Sequence, residues 1–314
     1  MNRRQLVLDL LDGNTESQYV PAGFFIHFDS DCHKGQAAID KHMEYFRYTG
    51  MDFVKVQYEA GFPPFPGVEK PVDWAKVPMA GKEFFADQLA VVDGLVKAAK
   101  DEALVIVTLY SPFMLAGFAG GLNRVLEHIR ADPAQFKKGI EIITDSLLVF
   151  VRECIKLGVD GFYTSTQGGE ARRLGSTAAF TECVKPFDLT VMNEVNDACD
   201  FNILHICDYL YGYSDLSHFL DYPGDVVNCN LRVGSEDMTP HDLSEMFGRP
   251  FMGGMERKGT IASGNADQIR TEVQSLLAGA GDRYMLGADC TLPADLDWDN
   301  VRTAITAAHE HSTV

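Results

Sequence analysis

Three residues of this chain, His205, Cys207 and Cys290, carry side chains that bind borderline and soft metal ions. His205 and Cys207 lie in the run Asn-Ile-Leu-His-Ile-Cys-Asp (202–208), and Cys290 in Met-Leu-Gly-Ala-Asp-Cys-Thr-Leu (285–292). In an extended strand, residues i and i+2 point the same way, so His205 and Cys207 share a face. One imidazole and two thiolates suit zinc, and three protein ligands leave a fourth position open for substrate. The compact Cys-x-x-Cys spacing of structural zinc sites is absent. A core histidine beside a buried thiol fits the same residues, and spacing alone leaves both readings open.

The elements that must position these residues follow from a repeated alternation. Short apolar runs at 20–28, 53–57, 104–110, 161–165, 202–207, 226–228, 250–254 and 284–287 each end in polar or Gly-rich residues. Helix-like stretches lie between them, clearest at 84–100, 136–156, 178–185, 240–247, 266–280 and 301–309. Thr239 followed by Pro240 is a helix-start signal. Strand–helix alternation predicts βαβ units on a parallel sheet. Eight units in 314 residues predict an α/β fold, a single (β/α)8 TIM barrel over 1–314. No Gly-x-Gly-x-x-Gly follows the first run, which argues against a dinucleotide site.

In such a barrel the active site lies where the strands end. There the sequence offers His27, Asp29 and Asp31, then Gln57, Tyr58 and Glu59, then Tyr110, then Gln167 and Glu170, with Asp208, Asn228, Asn230, Glu256 and Asp289 further on. This density of polar groups fits an enzyme better than a scaffold. The Pro-rich stretch 58–80 is expected to form a wall or lid, and the apolar, Gly-rich stretch 111–122 either a second wall or a packed loop.

Composition narrows the class. A net charge of −18 and a sequence pI near 4.8 disfavour nucleic acid and anionic membranes as partners. No window is apolar enough for a membrane span, and Asp9 and Asp12 interrupt the opening apolar run, so no secretory signal is read. A cytoplasmic location is expected. The seven cysteines are scattered and odd in number, so most are expected to be buried thiols, Cys154 and Cys183 among them.

At the metal-ligating residues the chain resembles the uroporphyrinogen decarboxylase superfamily, and within it the zinc-dependent, corrinoid-linked methyltransferases. His205-Ile206-Cys207 is similar to the His-x-Cys zinc motif of the methylcobalamin:coenzyme M methyltransferases. The segment 286–293, Leu-Gly-Ala-Asp-Cys-Thr-Leu-Pro, is similar to the one that supplies their last zinc cysteine. The segment 110–116, Tyr-Ser-Pro-Phe-Met-Leu-Ala, resembles the Pro-Phe-Thr-Leu-Ala segment of the superfamily, and 20–28 resembles the opening of the methyltransferase-like branch. Two departures set the chain apart from true decarboxylases. Their Arg-rich Met-Arg-Gln-Ala-Gly-Arg segment is missing near the first run, and Cys290 stands where they have histidine. A third departs from the methyltransferases, which usually have glycine after the zinc cysteine where this chain has Asp208.

The resemblance implies zinc on His205, Cys207 and Cys290. It implies methyl transfer between a corrinoid cofactor, carried by a partner corrinoid protein, and a small-molecule methyl donor or acceptor whose thiol or oxygen the zinc activates. Gln167 is expected to orient substrate, with Tyr110 and His27 as pocket walls. Glu170, Glu194 and Glu256 are candidates for a fourth ligand or a general acid, although a solvated carboxylate is the commoner state of such residues. His33, His42, His128, His218, His241, His309 and His311 read as loop or helix-surface residues. Three rivals stand beside this reading: a metal-free decarboxylase of the same superfamily, a non-catalytic barrel that docks a corrinoid protein, and a zinc hydrolase, for which no general base is clearly placed.

Overall fold

Seven of the eight apolar runs become parallel strands whose ends differ from the expected bounds by no more than one residue. A computed structural model of the chain describes residues 2–13, 19–57 and 61–311. The strands are β1 (Phe53–Val56), β2 (Leu104–Tyr110), β3 (Gly161–Thr166), β4 (Ile203–Ile206), β5 (Val226–Asn228), β8 (Phe251–Met255) and β9 (Tyr284–Ala288), in the spatial order β1-β2-β3-β4-β5-β8-β9. Between β5 and β8 a small antiparallel ribbon forms from β6 (Arg232–Val233) and β7 (Glu236–Asp237). Tyr58 and Glu59 lie outside the described residues.

The expected eighth strand, 20–28, is not one. It runs as an extended segment with isolated bridges, Ala22 to Leu286 and Ile26 to Leu292. Gly23 N donates to Leu286 O at 3.0 Å, and Leu286 N donates to Pro21 O at 2.8 Å. On the other side Asp52 N donates to Ala22 O at 3.1 Å. The reasons for the irregularity are local. Pro21 has no N–H to give a ladder. Ala22 N is taken by the Asp52 carboxylate at 2.7 Å, and Phe24 N by Met51 Sδ at 3.3 Å. A Cβ at Gly23 would stand 2.7 Å from the Phe53 ring, and one at Gly287 would stand 3.0 Å from Gly23 O, so both glycines permit the close passage. The architecture is therefore an α/β fold on a seven-stranded parallel sheet, not the eight-stranded sheet expected.

Alternation along the strands separates two cores. One face gathers Phe53, Leu104, Ile106, Tyr163, Ile203, Val226, Met252 and Met285, and the helix Arg3–Leu11 adds Val7 and Leu10 to it. The other face, with Val105, Val107, Phe162, Leu204 and Leu286, packs in a larger cluster with helical residues such as Leu95, Ile143 and Val191. Thr239 caps the helix Pro240–Phe247 with a reciprocal bond from Asp242, as its position before Pro240 predicts. The stretch 111–122 is a helix, Pro112–Gly120, capped by Ser111. The described part of 58–80 includes a short 3-10 helix, Pro71–Lys76, whose Trp74 is buried against His128 and Phe136. Among the described residues no helix is long and apolar enough to cross a membrane.

Two histidines expected at the surface are buried because each is a specific partner. His42 Nδ1 contacts Ala38 O at 2.7 Å, and its Nε2 accepts from Gln57 N at 3.2 Å. His128 Nδ1 accepts from the Trp74 indole at 3.0 Å. Cys154 and Cys183 are buried, as expected.

Asp188, on the helix Lys185–Ala198, is the polar exception in the outer core. Thr166 Oγ1 donates to its Oδ2 at 2.5 Å and Tyr222 OH at 3.2 Å, while its buried Oδ1 has no partner among the described residues. Burial, outweighing those two donors, pushes its carboxyl up to about 7. A carboxyl raised above its unfolded value of about 3.9 stabilises the fold below that value, and the contribution is lost as pH rises through about 7. Asp188→Asn should flatten this dependence. From pH 5 to pH 8 the parent should lose roughly 2–3 kcal/mol more than the variant in urea unfolding; equal losses would refute a protonated Asp188. Ile106→Ala, at a fully buried inner position, should lower unfolding free energy by about 2–5 kcal/mol in the same assay.

Candidate metal centre

The inner face carries the site because the strand period places it there. Ile203 belongs to the inner core, His205 is two residues further on the same face, and Cys207 two beyond that. The buried Cys290 follows β9, three positions along the sheet order from β4. Donor atoms of His205, Cys207 and Cys290 all lie within 4.8 Å of one another. His205 Nε2 is 3.5 Å from Cys290 Sγ, and the two sulfurs are 4.0 Å apart. The three donors thus converge from the ends of two strands, β4 and β9, that are not neighbours in the sheet.

The surrounding groups fix these side chains. The His205 ring stacks on Tyr163 with centroids 4.9 Å apart, and its Nδ1 has no partner among the described residues. Tyr163 OH donates to Asn228 Oδ1 at 2.7 Å, and the Asn228 amide donates to Met252 O and Ala288 O at 2.8 and 2.9 Å. Gln167 Nε2 donates to Cys207 Sγ at 3.1 Å, and the buried Arg173 holds Gln167 Oε1 at 2.6 Å. The Cys290 thiol beside it, with help from His205 and Gln167, holds Cys207 well below the usual thiol range. Cys290 is pushed up by that same thiolate and by burial.

The three candidate ligands His205, Cys207 and Cys290, with Gln167, Tyr110 and His27, line one cavity of about 460 Å³. Met114 and Phe118 from the helix Pro112–Gly120 line it too, so the stretch 111–122 is a wall. No described residue of 61–80 does. Gln167 stands against the Cys207 sulfur rather than only against open space. None of the candidate fourth ligands joins the donor cluster. Glu170 is buried against Gly168 N and Arg173, Glu194 pairs with Arg152, and Glu256 is exposed.

Several lining residues escaped the sequence reading. Lys55 is buried in β1, donates to Gln57 Oε1 at 3.0 Å and Thr108 Oγ1 at 2.8 Å, and lies over the Phe25 and Tyr163 rings. A lysine at an inward position of an otherwise apolar strand was a legible signal. Arg257 gave none: it sits in a loop after β8, beside the Glu256 that drew attention. Its guanidinium bridges Asp208 and Asp289.

Comparison with known proteins agrees with this architecture. The family model described as Uroporphyrinogen decarboxylase (URO-D) matches residues 48–311. A uroporphyrinogen decarboxylase of Aquifex aeolicus (strain VF5) is 22% identical over 213 residues, 66% of this chain and 60% of that protein, so the match spans less than two thirds of the relative. Among solved structures, a methyltransferase from Methanosarcina mazei superposes with a TM-score of 0.80 at 13% identity, covering 99% of both chains. A B12-independent methionine synthase from Shewanella sp. W3-18-1 gives a TM-score of 0.54 at 11% identity, covering 94% of this chain and 95% of that one. These structural likenesses establish a shared fold. With most of its length matched by the family model, the chain belongs to the uroporphyrinogen decarboxylase (URO-D) family.

Proposed function

We propose that the protein is a zinc-dependent methyltransferase that moves a methyl group between a corrinoid on a partner protein and a small thiol or oxygen substrate. The observation that carries this reading is the spacing of the three donors. Tetrahedral zinc with ordinary Zn–S and Zn–N lengths would set two sulfurs about 3.8 Å apart and a nitrogen and sulfur about 3.6 Å apart. The corresponding separations are 4.0 and 3.5 Å. Nitrogen and thiolate donors are those zinc prefers, and these three, all lining the cavity, would leave a fourth position for substrate.

Bound there, zinc would lower the pKa of a substrate thiol, or polarise a substrate oxygen, at neutral pH. The chain's own residues do the rest. Gln167 holds the Cys207 sulfur and Arg173 holds Gln167. Tyr163 orients the imidazole by stacking. Tyr110, Met114 and Phe118 present an apolar wall to a small substrate. The name of the Methanosarcina mazei neighbour supports the methyl-transfer reading, and the corrinoid partner rests on the resemblance of the two cysteine segments.

The family description itself favours a decarboxylase, whose substrate carries several carboxylates. Such a substrate is best held by free arginines. Among the described residues the cavity lining contains one arginine, Arg257, already paired with Asp208 and Asp289; the other two cations there are lysines, Lys55, which donates to Gln57 and Thr108, and Lys258.

Metal analysis of anaerobically purified protein should find about one zinc per chain. His205→Ala, Cys207→Ala and Cys290→Ala should each lose it, together with methyl transfer from methylcobalamin to a thiol. Zinc-free parent protein that binds a polycarboxylate would overturn the proposal in favour of the decarboxylase.

A further inference from the structure

The two cysteines come from distant parts of the sheet. Cys207 follows β4 and Cys290 follows β9, with β5 and β8 between them. Ladder hydrogen bonds do not fix the distance between their sulfurs. Each cysteine, however, has an aspartate as its chain neighbour on the same loop: Asp208 after Cys207, and Asp289 before Cys290. Arg257, from the loop after β8, reaches both. Its NH1 donates to Asp208 Oδ1 at 2.9 Å and to Asp289 Oδ2 at 2.5 Å, and its backbone N donates to Asp289 Oδ1 at 2.6 Å. Asn230, after β5, donates to Asp208 Oδ2 at 2.9 Å and Asp289 Oδ2 at 3.2 Å.

We infer that Arg257 is a positioning residue for the metal centre: through Asp208 and Asp289 it ties the two cysteine loops together at the separation zinc needs. The inference rests on the zinc reading above. The three side chains are 13%, 11% and 5% exposed, so water weakens this network far less than it weakens a surface pair. Arg257 lines the cavity and its guanidinium lies over the Tyr209 ring, 5.9 Å from its centroid, which limits how it can swing away.

Two readouts test the inference in full-length Arg257→Gln, Asp208→Asn and the double variant. The first is zinc affinity, by competition with a chromophoric chelator. The second is the rate at which iodoacetamide alkylates Cys207 and Cys290 in the metal-free protein, followed peptide by peptide with mass spectrometry. Each single variant should bind zinc about 10–100-fold more weakly. Both cysteines should be alkylated several-fold faster. The double variant should be no worse than the weaker single, because both substitutions break one network. Arg257→Lys should recover only part of the affinity. Should Arg257→Gln fail to fold, Asp208→Asn carries the test alone. Parent-like affinity and alkylation in the single variants, or additive losses in the double, would overturn the inference while leaving the zinc reading intact. A parent protein without zinc would remove the zinc reading, and the alkylation rates would still decide whether Arg257 holds the loops.

Discussion

The site depends on one buried amide. Asn228 is fully enclosed, accepts from Tyr163 OH, and donates to the carbonyls of Met252 and Ala288. Its one side chain therefore joins β3, β5, β8 and the end of β9 across the inner face. A buried amide left unpaired would be destabilising, so once the strands are in register the network has little freedom. Tyr163 is thereby held upright, and His205 packs flat on it. The imidazole is oriented by stacking over a ring that is itself hydrogen-bonded in place.

Above this floor the cysteines are governed from their flanks. Gln167 and Arg173 act on Cys207 from the end of β3, and Arg257 acts on both loops from the end of β8. Asp208 stands where the resemblance leads one to expect glycine. Glycine would give the loop freedom; aspartate ties it to a neighbour. The charge pattern is consistent with this. In a chain of net charge −18, Arg257 and Arg173 are withdrawn from solvent and assigned to carboxylates around the sulfurs. Their cost of burial is offset only because those partners are in place.

The sequence made the strands and the donor set legible for the same physical reason. Period-two alternation identifies inward positions, and it places His205 and Cys207 on one face, the face to which Ile203 belongs in the structure. Cys290 was a candidate donor because it follows the last run, but spacing left its convergence open, since nothing local relates residues 83 positions apart; the resemblance favoured it. The run 20–28 failed for a different reason. Its apolar pattern is strand-like, but Pro21 has no N–H to give, and the side chains of Asp52 and Met51 accept from the N–H groups of Ala22 and Phe24 that a ladder would need. His42 and His128 were misplaced because periodicity does not reveal a specific acceptor: each is buried to receive one N–H, from Gln57 and Trp74.

What separates the family's possible chemistries in this chain is which charges remain available inside the cavity. The fold is common to both readings, and so is the position of the cavity at the strand ends. A polycarboxylate is best met by unpaired guanidinium groups, whereas a thiol or oxygen activated by zinc would need a compact set of nitrogen and thiolate donors. Here the arginines nearest the sulfurs are consumed in holding Gln167, Asp208 and Asp289. The wall opposite is built from Tyr110, Met114 and Phe118. That distribution fits recognition of a small molecule chiefly by its bond to a metal and by apolar contact, with the strand ends committed to keeping His205, Cys207 and Cys290 where that bond can form.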